Sequence, residues 1–519
     1  MTDGVTTNTE TVSTDTWSYT FTAAGIYDVA LTIRYDDARE AVTIEKEAVR
    51  ALPTTVHVAL NGGHVWPFAT LDNAATNFHE AIAAVYGTES VPGTVKVQPG
   101  TYGAAHGLGA GHDHLVLVDR HVRLVGQGDK PSDTVIDGNH VRRVLRLAAS
   151  GATVENLTLA RGGNPAGPVA KGYGLEVAAG TVSRCIVTNG WSASADSPEA
   201  MVLQSGGAVC DTDICGNRTA SANRWTRTGS TVLITGGTMA GCRIFDNRAR
   251  AYNGVVYLSG ATAMLTNSII RANTDLGVEI PPNSAAVALT GGALLVDSEV
   301  SDNQSGEGWL LNHTTTTMAG GINLASGNAT VRNCIVRGNR LAANGNAGGV
   351  LMGPNTALIN SLVVGNASGT TGGAAGGVQI RHANARLLNC TVAANTNRTA
   401  ATGHGVVMSA GAITNSIVYG NGPVETRFTA NNLDFTGGTV AYTCAMPRPN
   451  GTDNLGTDPL FKDMDGGDYR LRGISPCRQA GVARPEVADD LDGQPRKPNR
   501  PYDLGCYRIE SVGSIILLR

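Results

Sequence analysis

The stretch Val331-Arg-Asn-Cys-Ile-Val-Arg-Gly-Asn339 constrains the fold more than any other part of the chain, because the sequence repeats it. Leu358-Ile-Asn-Ser-Leu-Val-Val-Gly-Asn366, Leu387-Leu-Asn-Cys-Thr-Val-Ala-Ala-Asn395 and Ala412-Ile-Thr-Asn-Ser-Ile-Val-Tyr-Gly-Asn421 are the same phrase. Earlier copies end at Asn217, Asn247, Asn273 and Asn303, and weaker ones lie at 154–162 and 182–190. Each reads as a short apolar strand ending in a turn. Aligned on Cys334, the copies run Leu157, Cys185, Thr212, Cys242, Ser268, Ser298, Cys334, Ser361, Cys390 and Ser416, a spacing of roughly 29 residues. That is too short for a strand–helix–strand unit and fits one three-strand coil of a solenoid.

Two residues further on stand Leu159, Val187, Ile214, Ile244, Ile270, Val300, Val336, Val363, Val392 and Val418. Side chains two apart on a strand share a face, so both columns point inward. The closing Asn suits a turn: it tolerates the left-handed conformation, and stacked amides can hydrogen-bond along the axis. A second set of strands precedes each phrase, as in Ile322-Asn-Leu324, Val350-Leu-Met352 and Val378-Gln-Ile380, mostly flanked by glycine. The length between the Asn turn and this strand varies most, as in 218–231 and 304–320. These are loops, and they gather along one side.

Composition agrees. Of 519 residues 66 are glycine, 5% are aromatic and 16% are charged, which suits short strands and many turns. A formal charge of −4 argues against a nucleic-acid binder. No run of 18 or more apolar residues appears, so no membrane span is expected. No signal-peptide pattern opens the chain, and the Thr-rich stretch after Met1 reads as a piece cut from something longer. Nine cysteines do not make a disulfide scaffold. Cys185, Cys242, Cys334 and Cys390 share one inward column but never neighbouring coils. Two coils are about 9.6 Å apart, beyond the roughly 7 Å a disulfide spans, so these are small buried hydrophobes.

Four regions follow: 1–50, 51–153, 154–421 and 422–519. Residues 17–33 alternate around Gly25 as a β-hairpin, and resemble the last hairpin of a PKD-type module. Asp72 can cap a helix over roughly 72–86, with Ala75, Phe78, Ile82 and Val85 on one face. Such a helix would plug the open N-terminal end of the solenoid. The tail after 422 covers the far end or runs back along the body.

The coils, together with Asn73-Ala-Ala-Thr-Asn77, Val97-Gln-Pro-Gly-Thr-Tyr102 and Val135-Ile-Asp-Gly138, resemble the right-handed parallel β-helix proteins of the pectate-lyase-like superfamily. Asp458-Pro-Leu-Phe461, Gly467-Asp-Tyr-Arg-Leu471, Ser475-Pro-Cys477, Asp490-Leu-Asp-Gly493 and Asp503-Leu-Gly-Cys-Tyr507 resemble the end segment of its secreted bacterial members. The resemblance covers about 55–510. It implies an all-β right-handed parallel β-helix of about twelve coils, helix-capped at the start, secreted or on the cell surface. A secreted protein could pair Cys477 with Cys506 and leave Cys444 over. The superfamily holds lyases, hydrolases, epimerases and non-catalytic scaffolds, so the fold does not fix the activity.

Enzymes of that superfamily work on the outer face of the strand equivalent to 350–352, with acidic clusters or basic ladders. Here the outward positions are Glu176, Leu233, Tyr257, Ala288, Asn323, Leu351, Gln379 and Val407, which is neither. Gly403-His-Gly405 and Asp211-Thr-Asp213 resemble polygalacturonase motifs, but about seven coils, over 30 Å, separate them. The loops are richer. Trp191, Trp225 and Trp309 fall in them. Arg218, Arg224, Arg227, Arg248 and Arg250 lie in two adjacent coils with Tyr252, and Glu307 and His313 accompany Trp309. Aromatic faces stack on sugars, and guanidinium forks bind carboxylate or sulfate. Asp463, Asp465 and Asp468 have spacings that suit calcium, as do Asp489, Asp490 and Asp492, without completing an EF-hand loop. The expected partner is therefore a polysaccharide, anionic by the arginines. The chain would act as a monomer or as part of a larger chain. A lyase or glycoside hydrolase acting on uronates, or a structural spacer, are the alternatives.

Overall fold

The computed structural model describes residues 21, 23–35, 37–109, 112–163, 172–192, 200–219, 230–249, 253–276, 285–306, 318–342, 345–369, 375–398, 402–429 and 431–509. It is an all-β parallel solenoid. Three parallel sheets of 14, 13 and 12 strands run along the body, with a shorter ladder of 8 strands beside them. One coil takes the strands Thr330–Arg332, Ile335–Arg337, Arg340–Leu341 and Val350–Met352 in turn, and the next opens at Ala357–Ile359. The first, second, fourth and third ladders are visited in that order. Val331 lies beside Leu358, Val336 beside Val363 and Leu351 beside Gln379. The two-residue ladder after each Asn was not expected; a coil has three strands and, over eight coils, a fourth.

The repeated phrase is two strands rather than one. Asn333 bends the chain between them with φ of 54°. At the second corner the left-handed residue is Gly338, with φ of 64°, and not Asn339. Asp246, Ala272, Asp302 and Gly365 take the same place in other coils. The closing Asn is thus released from turning the chain and is buried instead. Asn339 Nδ2 donates to Val300 O (2.8 Å) and to Asn366 Oδ1 (3.0 Å), while its Oδ1 accepts from Asn303 N (3.1 Å) and Nδ2 (2.9 Å). The same ladder runs from Asn217 to Asn432. Every buried amide in it meets the next, which is the condition for polar groups in a core.

The inward columns are as expected: Val331, Cys334 and Val336 are fully buried. Where the Cys334 column holds a hydroxyl, it serves the coil before. Ser361 Oγ accepts from Cys334 N (3.1 Å) and donates to Ile359 O (2.7 Å). All nine thiols are free. Cys477 does not pair with Cys506; the Cys444 thiol donates to Thr457 O (3.2 Å), while Cys506 N donates to Thr391 Oγ1 (3.2 Å). The glycines before the third sheet let coils approach closely. A Cβ on Gly349 would sit 2.6 Å from Gly377 O and 2.9 Å from Val363 Cγ1.

The capping helix is shorter than expected, Phe78–Ala84, and its cap is Asn77 rather than Asp72. Asn77 Oδ1 accepts from His79 N (2.8 Å) and Glu80 N (3.3 Å). Residues before it cannot be helical because their backbone is spent on the first strand: Ala75 N donates to His57 O, and Ala59 N to Ala75 O. Phe78, Ala81 and Ile82 are buried in the core. The N-terminal hairpin pairs Gly25–Arg34 with Glu40–Ala51, so Gly25 opens a strand and the turn lies at 35–39; residues 17–20 lie outside the described residues.

After residue 421 one more coil forms from Asn431–Phe435, Thr439–Ala441 and Cys444–Ala445. The tail then runs back along the body. Val482 O accepts from Asn415 Nδ2 (2.7 Å) and Asp489 O from Asn360 Nδ2 (3.1 Å), two coils earlier. Among the described residues no helix is long and apolar enough to cross a membrane.

Candidate functional site

The short fourth ladder begins one residue after each turn. Its backbone bonds, Trp191 N to Gly162 O, Arg218 N to Gly190 O and Arg248 N to Asn217 O, each 2.9 Å, fix the register. Trp191, Arg218 and Arg248 therefore stand beside one another on three consecutive coils. The rise per coil is about 4.8 Å. Alternation along the strand settles direction: Thr219 and Ala249, one residue on, are buried, so Arg218 and Arg248 face outward. Trp191 is 46% exposed, unusual for the largest apolar ring. The column continues through Thr274, Gln304 and Arg340.

The arginines of this column differ from those on the other faces. Arg123 and Arg184 both bind Glu155 at 2.9 Å, Arg243 binds Asp213 at 2.7 Å, and Arg337 binds Glu299 at 2.8 Å. Among the described residues no carboxylate pairs with Arg218, Arg248 or Arg340. Arg271, Arg332 and Arg386 also lack one among the described residues, but each stands alone, with no arginine beside it on the next coil. The fourth ladder thus offers an exposed indole next to two guanidinium groups on adjacent coils that no carboxylate compensates among the described residues. Such groups present planar forks for carboxylate or sulfate.

Three of the expected binding residues are brought together here. Arg224, Trp225, Arg227, Arg250, Tyr252, Glu307, Trp309 and His313 lie outside the described residues. The expected calcium ligands are not gathered. Asp463 Oδ1 accepts from Gly466 N (2.9 Å), Asp465 binds Arg427 (2.6 Å), and Asp468 Oδ1 accepts from Arg470 N (3.0 Å). Among the described residues no three His, Cys, Asp or Glu side chains are placed to hold a metal ion.

Much of the outer face of the third sheet is covered, although Glu176, Tyr257 and Val407 are only half-buried. Leu233, Ala288, Asn323, Leu351 and Gln379 are all buried. Ala200 packs with Leu203 and Leu233, and Ala285, Ala319 and Ala347 pack with Leu351. Ala200, Ala285, Ala319 and Ala347 cover this face because it is apolar. His404 is buried with its Nδ1 accepting from Asn397 N (2.9 Å), a structural use of the Gly-His-Gly segment. Asp213 is spent on Arg243.

One cluster was not legible in the sequence. At the N-terminal end of the third sheet, Arg143 is hydrogen-bonded to Glu176, with Arg146 Nε at 3.3 Å and His114 Nε2 at 3.4 Å from the same carboxylate. Burial alone would raise the Glu176 pKa, but the His114 hydrogen bond and the two arginines hold it below the usual carboxylate range. Burial lowers the His114 pKa. Perturbed groups of this kind often mark active sites. Here His114 and Arg143 are only 7% and 5% exposed. Arg142 closes the neighbouring loop by donating to His112 O (2.6 Å) and His114 O (3.2 Å). A polymer chain has no access, and the cluster anchors the first coils. Its spacing of 29 and 33 residues along 114, 143 and 176 is the coil period, the one signal that could have grouped it.

No protein-family model and no curated protein matches the sequence. Solved structures similar to the chain include pectate lyase Pel9A, at 14% identity over 89% of this chain and 97% of that one, with a TM-score of 0.36. XylC in complex with xylose is 9% identical over 88% and 99%, with a TM-score of 0.44. The A-module of the Azotobacter vinelandii mannuronan C-5 epimerase AlgE6 is 15% identical over 72% and 95%, with a TM-score of 0.34. The parallel ladders themselves, rather than these likenesses, establish a parallel β-helix.

Proposed function

We propose that the chain is an extracellular or cell-surface β-helix protein that binds an anionic polysaccharide along its fourth ladder. The observation that carries this reading is the exposed column of Trp191, Arg218 and Arg248, whose cations have no carboxylate of their own among the described residues. An indole stacks on the apolar face of a sugar ring, and the guanidinium forks take the carboxylates or sulfates. A polymer lying parallel to the solenoid axis meets these groups in succession, so modest contacts add. Trp225, Arg224, Arg227, Arg250 and Tyr252, and Glu307, Trp309 and His313 further on, follow this ladder in the sequence and are proposed to contribute to the same binding.

The test is binding of the full chain to polygalacturonate, alginate and a sulfated glucan, with parallel absorbance at 235 nm for unsaturated uronate. Retention of one of these polymers, lost in the Arg218→Ala/Arg248→Ala double variant and without new absorbance, is expected. Equal binding by the double variant, or no binding to any of them, would overturn the reading. Absorbance at 235 nm would replace binding with lyase action.

A further inference from the structure

A cleft lies on the C-terminal part of the body, away from Trp191, Arg218 and Arg248. It holds about 260 Å³ and opens between the turn before Asn431 and the hairpin Phe461–Asp463/Asp468–Leu471. Its coil, that of Tyr419, is six coils from that of Phe245 and Arg248, or ~29 Å along the axis. Pockets for drug-sized ligands run from roughly 300 to 1,000 Å³, so this one suits one or two sugar rings.

Its chemistry is unlike that of the ladder. Arg427, Lys462 and Arg472 face Asp458, Asp463 and Asp465 across it, so the rim is balanced in charge. Several of these groups are already engaged. Arg427 binds Asp465 (2.6 Å), Asp458 Oδ1 accepts from Leu460 N (2.8 Å), and Arg472 Nη2 donates to Lys462 O (3.1 Å). An anion would meet three fixed carboxylates and a cation three fixed cations. Both are disfavoured, and a neutral ligand rich in hydroxyls is not. The floor is aromatic. Phe428 is 46% exposed, its ring centroid 5.8 Å from that of Tyr419, and the Arg427 guanidinium lies 4.8 Å from its centroid.

We infer that this cleft binds a neutral mono- or disaccharide unit stacked on the exposed ring of Phe428. It is independent of the fourth ladder, and differs from it in ligand charge.

The test is saturation-transfer NMR on the full chain with a panel of neutral disaccharides built from glucose, galactose, mannose and xylose. At least one should bind, and excess galacturonate disaccharide should not displace it. Phe428→Ala should weaken that binding at least tenfold, Lys462→Ala at an exposed rim position should weaken it several-fold, and Arg386→Ala, outside both regions, should leave it unchanged. Lys462→Ala keeps the proposal testable should Phe428→Ala fail to fold. Absence of binding by the whole panel, displacement by the uronate, or unaltered binding in both cleft variants would overturn it. Failure of the ladder reading would appear separately, in polyuronate retention by Arg218→Ala/Arg248→Ala.

Discussion

Asn339 and Arg340 are neighbours in sequence and belong to opposite kinds of column. The Asn column is buried and uniform from Asn217 to Asn421, each amide bonded to the next. The column one residue on is exposed or half-buried and reads Trp191, Arg218, Arg248, Thr274, Gln304, Arg340, Ala367 and Thr396. Repetition in the first follows from necessity, since a buried amide is satisfied only by another at the same height. Nothing in the coil dictates the second, and its chemistry is free to serve a ligand. In a solenoid, the columns that repeat hold the fold, and the columns that vary are where to look for function.

Breaking each column in turn tests this contrast. Asn339→Ala should produce the largest loss. It strips Asn303 N and Nδ2 of their acceptor and should cost on the order of 3 kcal/mol, since each orphaned buried donor costs about 1–3. Arg340→Ala next to it should stay within about 0.5 kcal/mol. Urea unfolding followed by circular dichroism measures both, and equal effects would erase the distinction. Trp191→Ala is the converse: about a tenfold weaker polyuronate affinity, roughly 1.4 kcal/mol, at an unchanged unfolding midpoint. Raising salt should weaken the wild type more than Arg218→Ala/Arg248→Ala, because exposed charges are screened.

The inward Cys334 column sharpens the comparison at smaller scale. Ser fills the same place at 298 and 361 and bonds there without strain. Cys334→Ser should therefore cost less than about 1.5 kcal/mol, and Cys334→Leu about 1–3 by overpacking. Burial pushes the Cys334 thiol up to about 12, so alkylation at pH 8 should require unfolding. The smallest effect belongs to the paired arginines. The hydrogen bond from Arg123, ahead of the charges of Arg123 and Arg184, holds Glu155 below its usual pKa. A depressed folded pKa stabilises above the unfolded value of about 4.3, and that contribution fades as pH falls through the folded value. Glu155→Gln should slightly flatten the acid side of a melting-temperature profile. A flat wild-type profile below pH 4.5 would remove the pair from the account.

How far the sequence reached follows from the same division. Period and polarity alone determined the parallel solenoid, the inward Val336 and Cys334 columns, the stacked amides and the absence of disulfides between the Cys185, Cys242, Cys334 and Cys390 sites, because identical coils must repeat identical contacts. They also marked Trp191, Arg218 and Arg248 as outside the core. Register decided the rest. Only the paired ladders showed that these three share one outward column, that Gly338 rather than Asn339 turns the chain, and that much of the apolar outer face of the third sheet is covered. The Glu176 cluster and the Phe428 cleft join residues more than 25 positions apart through geometry that no local pattern encodes. Local sequence fixes which way a strand residue points. What stands next to it one coil away, and whether a carboxylate is there to neutralise it, exists only once the chain has wound.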